Sequence, residues 1–355
     1  MRYEIAYEGR ARRVLPSCDE SRLPAAPAGA HASPSKDVNV ETTEVKTAIA
    51  VIDVGGTKIA GAVAVYDPAA PGAPQLCCRR TVPTDAQRGG DAVLATILEL
   101  TDALIVDAPL PVAAVGVGTA GRVDARTGNI AYANEIMPGW TGQPLGDALR
   151  ERTGLPAAVL NDVQAHALGE ARWGAGQGAQ TCVVAAAGTG LGGAIVTHGR
   201  IVRGAHGFAG ELGATMNPLG ADRAAGDDCL EGVAAGSGIE ACYCAAGGEA
   251  ISGAEISARA NAGEELARRI IDQAGYALGL SLADLAGLLD PELAIVSGSV
   301  TKAGALWRHA LQRGFEQRVA PVLRDLPIVD AQLGGDAPLI GAAEHARDLL
   351  ADLAG

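Results

Sequence analysis

Residues 48–67 read AIAVIDVGGTKIAGAVAVYD: an apolar run, the turn Asp53-Val54-Gly55-Gly56-Thr57-Lys58, and a second apolar run. Both runs are rich in β-formers, so 48–53 and 59–66 are expected to pair as strands of a hairpin. The joining turn reads in two ways. Hairpins favour such glycines. Equally, glycines let backbone N–H groups approach a phosphate, Thr57 can donate a hydrogen bond and Lys58 can add charge. Asp53 would then hold a water on Mg²⁺. The stretch is not a P-loop, because G-x-x-x-x-G-K-[ST] is absent.

A chain of 355 residues suggests two domains, and 48% hydrophobic residues suffice for sizeable cores. Aromatics make up only 3% against 48 glycines, so those cores must rest on Ala, Val, Leu and Ile. A formal charge of −13 argues against nucleic acid as a partner, which wants clustered Lys and Arg. No 18-residue apolar run and no signal-peptide core occur, so a cytoplasmic protein without membrane attachment is expected. Seven irregularly spaced cysteines read as reduced thiols. Residues 1–46 hold four prolines and seven charges of each sign. They are expected to form a disordered extension, too short and irregular for a winged-helix DNA reader.

Strand and helix signals then alternate. Strands are expected at 76–82, 112–117, 157–160, 181–187 and 293–297. Helices are expected at 90–107, 163–173, across 233–290, at 302–318 and near 339–352. This is an α/β pattern in two lobes. Two stretches match G-x-G-x-x-G: Gly116-Val117-Gly118-Thr119-Ala120-Gly121 and Gly188-Thr189-Gly190-Leu191-Gly192-Gly193. A dinucleotide site needs a helix starting at the last glycine, but both matches run on into hairpin-like or loop sequence. An NAD-dependent oxidoreductase fails on that context. A repeated device remains: strand, glycine turn with Thr, strand. Two such turns facing each other would clamp a nucleotide's phosphates.

AVLNDVQAHALGEARWG places Asn161-Asp162 where a strand gives way to a helix. From this stretch alone, Asp162 as an N-cap outweighs Asp162 as a catalyst, and both hold if the helix end faces a cleft. Glu211 among glycines and Glu231 before a helix each read alone as loop or helix-start acids. His166 and His206 read as structural or exposed.

Taken in order, D-V-G-G-T-K, G-x-G-T-A-G-R-V-D, N-E-I-M-P-G-W, N-D, G-T-G-L-G-G, G-E-L-G, C-L-E-G and V-S-G-S resemble the ROK family over about residues 47–350. That family comprises sugar kinases and repressors on the two-lobed actin-like ATPase (ribonuclease H-like) fold. The resemblance implies a small lobe of 47–162 plus 336–355, a large lobe of 163–335, and a cleft between them. It implies ATP at Asp53, Gly55, Gly56, Thr57 and Lys58, at Gly188, Thr189, Gly190, Gly192 and Gly193, and at Gly298, where Ser299 replaces a usual second glycine. Sugar hydroxyls would meet Gly121, Arg122, Asn134, Asn161, Glu211 and Glu231, with Asp162 as catalytic base. The expected partner is a small sugar, the expected assembly a homodimer, and the expected cofactors ATP and Mg²⁺. GRVD at 121–124 looks closest to the N-acylmannosamine kinase and glucokinase branches. A sugar-sensing repressor is the rival, and it would need a DNA-binding segment ahead of the fold.

One departure stands out. The family often carries a zinc site of one His and three Cys, a sugar-contacting His among them. Here the His position is Ala214, and two of the Cys positions hold Asp222 and Ala224, leaving Cys229. No structural zinc is expected. Cys242 and Cys244, two apart on an expected helix, cannot share a face and read as packing residues.

Overall fold

The structure, a computed structural model, describes residues 46–134, 137–220 and 228–355. The expected disordered extension lies, but for Lys46, outside the described residues.

The first strands are β1 (Thr47–Val54), β2 (Lys58–Tyr66) and β3 (Gln75–Pro83). Helix α1 (Gly90–Asp107) leads to β4 (Val112–Thr119), then to a small hairpin, β5 (Arg122–Val123) with β6 (Ile130–Tyr132). Helix α2 (Leu145–Thr153) precedes β7 (Ala157–Asn161). The first sheet runs β3-β2-β1-β4-β7, with β1, β4 and β7 parallel and the outer hairpin antiparallel. β1 is apolar at nearly every position because the sheet is covered on both faces. Ala48, Ala50, Ile52 and Val54 face Ile97, Leu100 and Leu104 of α1, while Ile49 and Val51 face the last helix, Ala337–Ala354.

Helix α3 (Asp162–Trp173) leads into β8 (Thr181–Ala187), β9 (Leu191–Thr197) and β10 (Arg200–Ile201). Four helices follow: α4 (Glu231–Ala234), α5 (Gly236–Ala245), α6 (Gly253–Asn261) and α7 (Glu265–Leu289). Then come β11 (Leu293–Ser297), α8 (Ala305–Arg318), β12 (Ile328–Asp330) and α9 (Ala337–Ala354). The second sheet, β10-β9-β8-β11-β12, repeats the pairing directions of the first. Val183 and Ala185 of β8 face α7 and α8, whereas Cys182 and Val184 face Ala167 and Ala171 of α3. This is the two-lobed actin-like fold. The β1–β2 and β8–β9 turns are therefore the same hairpin of two like sheets.

The helical stretches expected across 233–290 are α4 to α7, broken where Ala235 is extended and where Gly263 has φ +101°. One expected boundary needs correction. The 302–318 helix starts at Ala305, because a 3₁₀ turn over Ser299–Ala303 ends at Gly304 with φ +92°. Alternation also gave no hint of β12, which is only three residues long.

α3 and α9 cross closely: a Cβ on Gly341 would stand 1.7 Å from the Ala165 carbonyl oxygen. Beside that crossing, Arg172 meets Glu344 and Asp348, each at 2.7 Å, and Tyr66 donates to Glu344 at 2.8 Å. Among the described residues, no helix is long and apolar enough to cross a membrane.

Candidate active site

A cavity of about 610 Å³ opens between the sheets, outside the carboxyl ends of β4, β7, β8 and β11. That is where ligands bind in α/β folds. The structure brings to its wall Gly56, Thr57, Gly121, Arg122, Asn134, Asn161, Asp162, Gly188, Thr189, Gly190, Gly192, Gly193, Glu211, Glu231 and Gly298. Asp53, Gly55 and Lys58 are not on that wall. Gly55 closes the hairpin, its N–H donating to the Lys58 carbonyl at 3.0 Å. Lys58 begins β2 with an exposed side chain and reaches the site only as a field that lowers the Asp53 pKa. Hairpin and cleft lining are thus both true of this turn.

The N-cap of α3 is Asn161, not Asp162. Asn161 has extended backbone (φ −62°, ψ 151°), the geometry of a cap, and its Oδ1 accepts from Val163 N at 2.9 Å and Gln164 N at 3.3 Å. Its Nδ2 donates to the Gly121 carbonyl at 3.0 Å, and its side chain also hydrogen-bonds the Asp162 carboxylate. Asp162 is released from capping and stands as the first helical residue, at the cleft. Burial pushes its pKa up to about 6; the Val163 N–H opposes that shift and Glu211 adds to it. Asp53 is likewise raised to about 6, by burial and then by Asp162, with Lys58 opposing. Gly118 lies beside the pair, and the close contact its missing Cβ avoids is with Ala165 Cβ, at 3.0 Å. In the sequence, Gly118 shows only as one glycine of a failed fingerprint.

The second glycine turn is braced from below. Gly236 N and Ser237 N, at the start of α5, donate to the carbonyls of Gly188 (2.8 Å) and Thr189 (3.1 Å). Ser237 Oγ also donates to Thr189 O at 2.8 Å. Glu231 Oε2 accepts the Leu191 N–H at 2.7 Å, so a carboxylate on the cavity wall also holds the end of the turn. Gly298 must be glycine, with φ +94° and the Ala187 carbonyl oxygen 2.2 Å from any Cβ. Sequence reasoning missed Ser237 and also Phe208, whose ring lies 3.1 Å from the Arg122 guanidinium, with Tyr132 at 5.5 Å on the same cation. Neither carries a motif, since both act through contacts distant in the chain. Burial raises the Glu211 pKa; Arg122 opposes and Glu231 adds to the shift.

Ala214, the expected site of a lost histidine, is exposed and off the cavity wall. Positions 222 and 224 lie outside the described residues. Among the described residues, no group of three or more His, Cys, Asp or Glu side chains is placed to hold a metal. Cys242 packs half-buried against the core under α5, but Cys244 is exposed, because Tyr243 takes the inward face. His206 is exposed, and His166 is half-buried with its Nε2 unbonded among the described residues.

The ROK family profile matches residues 49–348. A glucokinase of Halalkalibacterium halodurans is 32% identical over 311 residues, covering 82% of this chain and 92% of the relative. A ROK hexokinase from Thermus thermophilus superposes with a TM-score of 0.74 at 32% identity, covering 87% of this chain and all of that one. A ROK family glucokinase from Streptomyces griseus, solved with glucose and AMPPNP, gives 0.66 at 31% identity, covering 85% and 99%. Profile, identity and fold agree with the order of motifs, and the chain belongs to the ROK family.

Proposed function

We propose that this cleft transfers the γ-phosphoryl of ATP to a hydroxyl of a hexose or N-acylhexosamine, with Asp162 as base. One observation carries the reading: Asn161 takes the cap of α3, and the Asp162 carboxylate, which accepts the Val163 N–H at 2.9 Å, lines the cavity between the glycine turns and the Arg122–Asn134–Glu211–Glu231 side. Phosphoryl transfer depends chiefly on alignment and charge stabilisation. The amides around Gly56–Thr57 and Gly188–Gly193 suit the phosphates, and Glu231 couples the second turn to the sugar side.

At a pKa of about 6, Asp162 is too weak to ionise a sugar hydroxyl beforehand. It accepts the proton as the O–P bond forms, a contribution of roughly 10²–10⁴ in rate. Asn161 and Glu231 orient, and the half-buried cleft limits water. Asp53 lies behind the cavity wall and feels the charge of Asp162, which suits contact with Mg²⁺ through water rather than directly. Asp53 would hold it through water, and the ion would offset phosphate charge.

Asp162→Asn is expected to keep sugar affinity while kcat falls roughly 10²–10⁴-fold. Near-normal turnover would remove Asp162 from the role. Coupled ADP-release assays over hexoses and N-acetylhexosamines would assign the sugar. Sugar binding without ADP release from any of them would replace the kinase with a sugar-sensing regulator.

A further inference from the structure

A second cavity, about 710 Å³, shares no lining residue with the first. It lies between β7, the edge strand of the first sheet, and β10, the edge strand of the second, and α9 covers it. Four arginines reach its wall, Arg126, Arg150, Arg200 and Arg203, against two carboxylates, Asp348 and Asp352.

Most of these charges are already committed. Arg172 holds Asp348 at 2.7 Å, Arg200 meets Asp352 at 3.4 Å, and Arg150 meets Asp147 at 2.6 Å. Arg126 forms no ion pair among the described residues, and neither does Arg203. Arg203 Nη2 donates to the Val159 carbonyl at 3.2 Å, while its Nε is buried without a partner among the described residues. The field of Asp124 reaches both arginines. Even so, the wall stays positive in a chain of net charge −13. His345 registers this: burial first, then Arg203, Arg172 and Arg200, depress its pKa to about 4, with Asp352 opposing.

We propose that this cavity binds a small phosphate-bearing ligand, its oxyanion facing Arg203 with Arg126 at the rim, its body against Leu155, Ile201 and Leu349. A guanidinium fork matches phosphate oxygens, and Arg203 and Arg126, both on the wall, form no ion pair among the described residues. The volume falls within the usual range for small-molecule sites and is much larger than one phosphate needs. The place matters, because the Arg203–Val159 bond ties the loop after β10 to the edge of the other sheet. A ligand here would sit on a link between the two sheets that frame the front cleft. The binding claim stands apart from the kinase reading.

The test is calorimetric titration of the full chain with inorganic phosphate and with phenyl phosphate, the front cleft first saturated with a non-hydrolysable ATP analogue. One site per chain is expected, weakened about tenfold or more by Arg203→Met and less by Arg126→Met. Arg126 is exposed, so its variant folds regardless and guards against loss of structure at Arg203. Tighter binding of phenyl phosphate assigns the site to a phosphate monoester, and equal binding assigns it to free phosphate. No saturable binding with the cleft filled, or affinities unchanged in both variants, overturns the proposal.

Discussion

Asp53 and Asp162 are expected to govern both the pH profile and the stability of the site. Each pKa is raised from 3.8 to about 6, chiefly by burial. With Asp162 as the proposed base, which must be ionised, kcat/KM is expected to fall as pH drops through about 6 and to level off above it; a pH–rate profile checks this. The stability consequence has the opposite sense. A carboxyl whose folded pKa is raised contributes stability that is full below pH 3.8 and lost as pH rises through 6. At pH 7.5 each ionised carboxylate therefore costs roughly 2–3 kcal/mol. Asp53→Asn and Asp162→Asn should each raise Tm at pH 7.5, with the gain gone below pH 4, as thermal melts at both pH values would register. Their gains should not add, because the two groups interact.

At the scale of elements, the start of α3 sets the site. Asn161 caps the helix and also anchors the Gly121 carbonyl. Asn161→Ala should lower stability by about 1 kcal/mol through the lost cap. Asn161→Ser should restore the cap and most of the Tm, yet leave the sugar KM raised, because a serine hydroxyl is too short to reach Gly121. Paired melting and KM measurements separate the two duties. The strand–helix junction at 161–162 was legible from residue types, since Asn and Asp both favour such positions. Which of them caps was not, because backbone angles settle it. The strands 48–53 and 59–66 were legible because both faces of β1 and β2 are buried, so apolar residues fill nearly every position. β12 was not, because three residues carry too little pattern.

Across the whole molecule, the two sheets are joined through α3 and α9, and a buried charge cluster sits at that joint. Arg172 neutralises Glu344, which is only 2% exposed, and also holds Asp348. Arg172→Met would leave buried Glu344 with only the Tyr66 hydroxyl at 2.8 Å and Arg347 at 3.6 Å, and should cost up to about 3 kcal/mol, seen as a lower urea midpoint. Arg172→Lys should recover only part of this, since one ammonium cannot fork to both acids.

By itself the sequence determined the α/β alternation of the longer elements, the two glycine turns and the acids that could face a ligand. Periodicity and residue chemistry are local properties, and they survive without coordinates. Only the tertiary structure decided that Asn161 rather than Asp162 takes the cap, that Lys58 stays off the cavity wall, and that Arg203 keeps a buried donor unpaired among the described residues. Those outcomes depend on residues distant in the chain meeting at a few ångströms, where burial and geometry set which groups bond and which stay available.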